Sequence, residues 1–192
     1  DFNETDPVVD TAVATDKSTV EVTFDEPIST PDATQVSFGG TPSVASVDIT
    51  DTAVLTVNLG SDMSTTEPTT GNQTITVGAG SVLDLDGKSN TSKTVDPVGD
   101  GISPTMDSAA ATAVDTVTVT FSEPISNDSV EVADFDVAGN TVTTADSAGT
   151  DDVELTLSAD LATDATPDVT LVSSESVEDM SGNALDGEGV ID

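Results

Sequence analysis

Apolar and polar residues alternate in several short stretches of this chain. Residues 20–24 read Val-Glu-Val-Thr-Phe, and residues 117–121 read Val-Thr-Val-Thr-Phe. Residues 153–157 and 169–171 repeat the alternation. Because successive side chains of a strand point to opposite faces, this period of two predicts strands with one buried face. No stretch keeps the 3.6-residue period of a helix. About seven such strands in roughly 95 residues predict a two-sheet antiparallel sandwich.

The strand pattern occurs in two copies along the chain. "VEVTFDEPIS" (residues 20–29) and "VTVTFSEPIS" (residues 117–126) agree at eight of ten positions and lie 97 residues apart. Phe38 and Phe135 recur at the same spacing. We therefore predict an all-β protein of two tandem sandwiches, joined by a linker over residues 96–104. Domain 1 spans residues 1–98 with an N-terminal leader over residues 1–6, and domain 2 spans residues 99–192.

The chain has a large excess of acidic over basic residues. Asp and Glu number 37 against three Lys, which gives a net charge of −34. Residues 1–98 carry 16 acids and three Lys, or −13, and residues 99–192 carry 21 acids, or −21. Self-repulsion of this size destabilises a compact state, and molar salt screens it because the Debye length falls to about 3 Å. The composition predicts a halophilic protein. Disorder is the alternative reading of high charge with few aromatics, and the regular strand pattern argues against it.

The amino-acid composition also excludes several classes of function. The chain has no His, Cys, Arg, Tyr or Trp, so the usual nucleophile–base pairs cannot be assembled, and we expect no enzyme. With 37 carboxylates, some pair spaced for glycoside hydrolysis arises by chance and carries no information. Nucleic acid and anionic membranes are poor partners for such a surface, and no apolar run predicts membrane insertion. Divalent cations are favourable partners.

Three features together resemble a known family: the Phe-x-Glu-Pro element, the following strand that contains Phe38 or Phe135, and a late loop with Asp and Gly at residues 84–87 and 179–182. They are similar to the bacterial and archaeal Ig-like domains of surface-layer and secreted repeat proteins. The resemblance implies two Ig-like sandwiches with a structural or adhesive role at the cell surface. With the acidic composition, the chain looks like a haloarchaeal surface protein. The antibody-type Cys pair and core Trp are absent, so the Phe pairs must fill that volume.

The Glu-Pro after each repeated strand raises the question of a cation site. In a sandwich of this topology, its loop lies at the end where the chain enters the domain, beside the late loop. Clustered carboxylates repel unless a cation separates them, and Ca²⁺ takes six to eight oxygen ligands. The alternative is structural: Pro ends the strand, and Glu accepts backbone N–H bonds. The predicted calcium ligands are Glu123, Asp179, Asp96 and Asp100 at the junction, and Glu26 and Asp84 in domain 1, with Asp6 as a further candidate.

Two surface features remain. N-glycosylation sequons begin at Asn3, Asn72, Asn90 and Asn127, all in predicted loops or at a terminus. Phe2 is an aromatic residue in a polar leader. It either folds back on domain 1 or docks into a neighbouring molecule.

Two functional hypotheses follow. The first is an extracellular structural protein of a halophile, a homo-oligomer that self-assembles as a surface-layer or filament subunit. The second is an adhesion or glycan-binding accessory module of a larger secreted protein.

Overall fold

The computed structural model describes residues 5–39, 42–63, 73–162, 166–172, 176–186 and 190–191. The chain divides into two compact units, Asp1–Ile102 (unit 1) and Ser103–Asp192 (unit 2). The predicted boundary after residue 98 lies four residues earlier than this one. Within the described ranges every regular element is a strand or a short 3₁₀ helix, which confirms the all-β prediction.

Unit 1 contains two sheets and a short ladder. The strands are Val9–Asp16 (β1), Thr19–Phe24 (β2), Ile28–Ser29 (β3), Val36–Gly39 (β4), Val44–Asp51 (β5), Val54–Leu59 (β6), Thr74–Val77 (β7), Leu83–Asp84 (β8), Lys93–Val95 (β9) and Gly99–Asp100 (β10). One sheet has the strand order β10-β1-β2-β6-β5, and the other has the order β4-β7-β9. Strands β3 and β8 form a two-stranded ladder.

Alternation along β2 places Val20, Val22 and Phe24 in the core of unit 1, as the sequence predicts. Phe38 of β4 and Ile75 of β7 reach the same core from the second sheet. The 3₁₀ helix Ala33–Gln35 precedes β4 and is capped by Asp32, which accepts hydrogen bonds from the amide and hydroxyl of Thr34 at 2.9 and 2.7 Å. These bonds, the hydroxyl bond first, lower the pKa of Asp32 because they favour its charged form.

Unit 2 repeats this plan. The strands are Met106–Ala113 (β11), Thr116–Phe121 (β12), Phe135–Val137 (β13), Val142–Asp146 (β14), Asp152–Leu157 (β15), Val169–Leu171 (β16) and Val190–Ile191 (β17), and 3₁₀ helices span Asn127–Ser129 and Val132–Asp134. Its sheets have the orders β11-β12-β15-β14 and β13-β16-β17. Phe121 and Phe135 are both buried in its core, so the Phe pair fills the sandwich interior in each unit as predicted.

The unit boundary differs from the prediction because part of the predicted linker belongs to unit 1. Strand β10 pairs in parallel with β1, with Val13 opposite Gly99 and Ala14 opposite Asp100. Val98 is fully buried, and Ile102 packs against the same core. Backbone pairing and side-chain burial therefore tie residues 98–102 to the first sandwich.

Candidate cation site

The repeated Glu-Pro lies where the chain passes from one ladder to another. In unit 1 it connects β2 to β3, and the backbone N–H of Ile28 donates to the carbonyl oxygen of Thr52 at 2.7 Å. In unit 2 the backbone N–H of Ile125 donates to the carbonyl oxygen of Thr150 at 2.9 Å. Pro has no N–H to give to a ladder, so the Glu-Pro pair ends one strand and frees the next residue to pair elsewhere.

The residue after the Glu-Pro pairs with the late loop in both units. Ile28 lies opposite Asp84, and Ile125 forms an isolated bridge with Asp179. The predicted neighbourhood of the Glu-Pro loop and the late loop is therefore confirmed within each unit.

The two late loops are closed by the same hydrogen bonds. Oδ1 of Asp84 accepts from the backbone N–H groups of Asp86 at 2.8 Å and Lys88 at 2.7 Å. Oδ1 of Asp179 accepts from Ser181 at 2.7 Å and Asn183 at 2.8 Å. One carboxylate oxygen of each Asp therefore has a structural role, as in the alternative reading of the motif.

The backbone conformation of each late loop explains its glycine. Gly87 and Gly182 have φ values of 88° and 89°, in the left-handed region that favours glycine. Each glycine N–H also lies 3.3 Å from the carbonyl oxygen of the loop Asp. The late motif is thus a turn whose Asp and Gly positions are set by backbone geometry.

The second carboxylate oxygen of the Asp, Oδ2, has different hydrogen bonding in the two late loops. Oδ2 of Asp179 accepts a hydrogen bond of 2.8 Å from the side-chain amide of Asn183. Lys88 holds the corresponding position in unit 1, and Oδ2 of Asp84 is buried without a hydrogen-bond partner among the described residues. This role of Asn183 is not among the sequence predictions, although the replacement of Gly87-Lys88 by Gly182-Asn183 in the second copy is visible in the sequence.

In unit 2 two buried carboxylates face each other. Glu123 and Asp179 are each 2% exposed, and their carboxylate oxygens lie within 4.8 Å of one another. At an effective dielectric constant of about 20, two charges at this distance repel by about 3.5 kcal/mol. A cation between them relieves that repulsion.

The acidic side chains of unit 1 have a different arrangement. Glu26 is half-buried, and its Oε1 lies 3.4 Å from the hydroxyl of Thr5, whereas Asp6 is exposed. Among the described residues of unit 1, no three acidic side chains come close enough to share a metal ion. That Glu26 and Asp84 bind a cation in domain 1, with Asp6 as a further candidate, stays a prediction.

The two predicted linker ligands have different surroundings in unit 1. Asp96 is exposed and directly follows β9. Asp100 lies in β10, is half-buried, and accepts a hydrogen bond of 3.0 Å from the backbone N–H of Ile102. That Asp96 and Asp100 join Glu123 and Asp179 around one ion stays a prediction.

The sequons fall in different environments. Asn3 and Asn72 lie outside the described residues, as does Phe2. Asn90 is 1% exposed, and its amide donates to the carbonyl oxygens of Gly78 and Thr91 at 2.9 and 3.0 Å. A glycan on Asn90 would break both bonds, so the expectation of an accessible loop side chain does not hold there. Asn127 is exposed.

The two-sheet cores define an Ig-like β-sandwich protein. Residues 93–191, which are more than half of the chain, match the bacterial Ig-like domain family. The chain belongs to that family. The crystal structure of the N-terminal part of the bacterial S-layer protein SbsC is similar over 97% of this chain and 44% of that one, at 16% identity and a TM-score of 0.42. The chain thus spans less than half of that structure's length. No curated protein matches it.

Within the residues described, no helix has the length and apolar character needed to cross a membrane.

Proposed function

We propose that this chain is a non-enzymatic structural module of an extracellular surface, which works in concentrated salt and assembles with copies of itself. The observation that carries the proposal is the combination of Ig-like units with a net charge of −34. Tandem sandwiches provide a repeating scaffold, and molar salt removes the long-range repulsion that otherwise keeps such copies apart.

Electron microscopy of the purified chain tests this proposal. In several-molar KCl we expect ordered filaments or sheets, and at low salt we expect them to disperse as screening is lost. Monodisperse particles at all salt concentrations would contradict self-assembly. That result would favour the second hypothesis, an adhesion or glycan-binding module of a larger secreted protein.

The proposal includes a divalent cation, for which calcium is the best candidate, held by Glu123 and Asp179. Two buried carboxylates with oxygens within 4.8 Å offer hard oxygen ligands and repel each other when no cation is bound. The sequence adds Asp96 and Asp100 as the predicted ligands from the linker.

A substitution at Glu123 tests the cation. At a calcium concentration about 100 times Kd, binding stabilises the folded state by about 2.7 kcal/mol, which raises the melting temperature of a unit this size on the order of 10 °C. Glu123→Gln should abolish that rise. Without calcium the same variant should melt above the natural chain, because one of the two repelling charges is gone.

Glu26→Gln is the matched control, since it makes the same change at the equivalent position of unit 1. It should leave the calcium response of unit 2 unchanged. Thermal unfolding in molar KCl, with calcium or with a chelator, measures both variants. If calcium does not raise the melting temperature of the natural chain, or if both variants lose the rise equally, the cation proposal is wrong.

A further inference from the structure

Asn127 differs from the other described asparagines in how its side-chain amide is bonded. The structure describes five asparagines, and in four of them Nδ2 donates a hydrogen bond, namely Asn58, Asn90, Asn140 and Asn183. Nδ2 of Asn127 donates to no other described residue, and the side chain is exposed. Within this set, only the nitrogen of Asn127 can form a new bond without breaking an existing one.

The oxygen of the same amide is held in place. Oδ1 of Asn127 accepts a hydrogen bond of 3.0 Å from the backbone N–H of Ser147. Ser147 is 1% exposed, and its hydroxyl donates to the carbonyl oxygen of Ile125 at 2.9 Å. Because this buried residue fixes Oδ1, the side chain keeps its position while Nδ2 remains available.

Asn127 also begins a sequon. Asn-Asp-Ser over residues 127–129 is an acceptor sequence for an N-linked glycan. Asn90, the other sequon asparagine that the structure describes, is 1% exposed and donates two hydrogen bonds through its nitrogen. A glycan would break both bonds at Asn90, whereas at Asn127 it leaves the bond from Ser147 intact. Of these two sequons, only the one at Asn127 is compatible with a glycan in the folded chain.

A depression of about 410 Å³ lies beside this side chain. It is lined by Ser126, Asn127, Asp128, Ala148, Gly149 and Met180. Its volume falls within the range of about 300–1,000 Å³ that is usual for small-molecule sites. Met180 is 60% exposed and offers an apolar surface, and the carboxylate of Asp128 offers a hydrogen-bond acceptor. A sugar ring fits this combination because it has an apolar C–H face and hydroxyl groups around its edge.

We propose that Asn127 is an N-glycosylation site and that the first sugar of its glycan lies in this depression against Met180. A bond forms between Nδ2 and the anomeric carbon of the sugar, and the bond from that carbon to a phosphate oxygen of a lipid-linked saccharide donor breaks. The phosphate leaves with the bonding electron pair, and Nδ2 loses one proton to solvent. The inference rests on the extracellular part of the proposed function, since sequons are modified in secreted proteins.

Secretion of the full chain from an N-glycosylating halophilic host tests the site. An added signal sequence directs export, and a glycoprotein secreted by the same cells reports that glycan transfer is active. Peptide mass spectrometry should find a glycan on Asn127 and none on Asn90. Asn127→Asp is the matched variant, because it keeps an acceptor oxygen for the N–H of Ser147 and removes the nitrogen.

Two results of this experiment would overturn the proposal. One is an unmodified Asn127 in cells whose own glycoprotein is modified, and the other is a glycan on Asn90 of the folded, secreted chain. Neither result depends on self-assembly, which electron microscopy measures separately. Failure of the glycosylation site therefore leaves the structural role proposed above as it stands.

Oxidation by hydrogen peroxide tests where the sugar lies. Since the oxidant must reach the thioether, a sugar packed against Met180 should slow its oxidation by about threefold or more relative to Asn127→Asp. Met63 is 6% exposed in the core of unit 1, so its oxidation rate should be the same in both chains. Equal oxidation of Met180 in the glycosylated chain and in the variant would show that the sugar does not occupy the depression.

Discussion

A single side chain distinguishes the late loops of the two units. Asn183 donates its amide to Oδ2 of Asp179, whereas Lys88 in unit 1 leaves the corresponding oxygen of Asp84 buried without a hydrogen bond in the described structure. A buried acceptor without a donor costs about 1–3 kcal/mol of folding stability. The late loop of unit 1 carries this cost at Asp84, and the late loop of unit 2 does not carry it at Asp179. Asp84 and Asp179 hold equivalent positions in the sequence, but their carboxylates are hydrogen-bonded differently because the residue four positions later differs.

This comparison predicts the effect of Lys88→Asn. The new amide should reach Oδ2 of Asp84 as Asn183 reaches Oδ2 of Asp179, and we expect unit 1 to be stabilised by about 1 kcal/mol. Chemical denaturation in molar KCl measures the change. Lys88→Ala is the control, because it removes the same charge without adding an amide. Equal stability of the two variants would show that charge at this position matters and the hydrogen bond does not.

At the scale of elements, side-chain alternation predicts the central strands well. Strands β2, β12 and β15 each bury every second residue, because each covers the core with one face only. The Asp and Gly of the late turn also follow from sequence, since left-handed backbone geometry restricts the residue choice. These elements are determined locally, and a single sequence contains that information.

Elements that depend on tertiary contacts were less predictable. Gly99 and Asp100 of β10 have no strand-like pattern, and their pairing is set by the neighbouring edge of β1. The carboxylate site shows the same limit: Glu26 and Glu123 occur in identical Glu-Pro-Ile-Ser segments, yet Glu26 is half-buried and Glu123 is 2% exposed. Local sequence placed both near a late-loop Asp, and only the surrounding fold determines which pair is buried.

At the scale of the whole chain, charge is unevenly divided between the units. With the boundary after Ile102, unit 1 carries 17 acids and three Lys, or −14, and unit 2 carries 20 acids and no Lys, or −20. Self-repulsion grows with net charge, so unit 2 depends more strongly on screening.

Lowering the salt should therefore unfold the units in order. Between several-molar and about 0.1 M KCl the Debye length grows from below about 3 Å to about 10 Å, so repulsion across each unit increases. We expect both melting temperatures to fall, and that of unit 2 to fall further. Calorimetry measures the transitions, and amide exchange in β2 and β12 assigns them to the units. Sucrose in place of KCl is the control, because it favours compact states without screening charge. Equal melting at about 0.1 M and at several-molar KCl would rule out the halophilic interpretation.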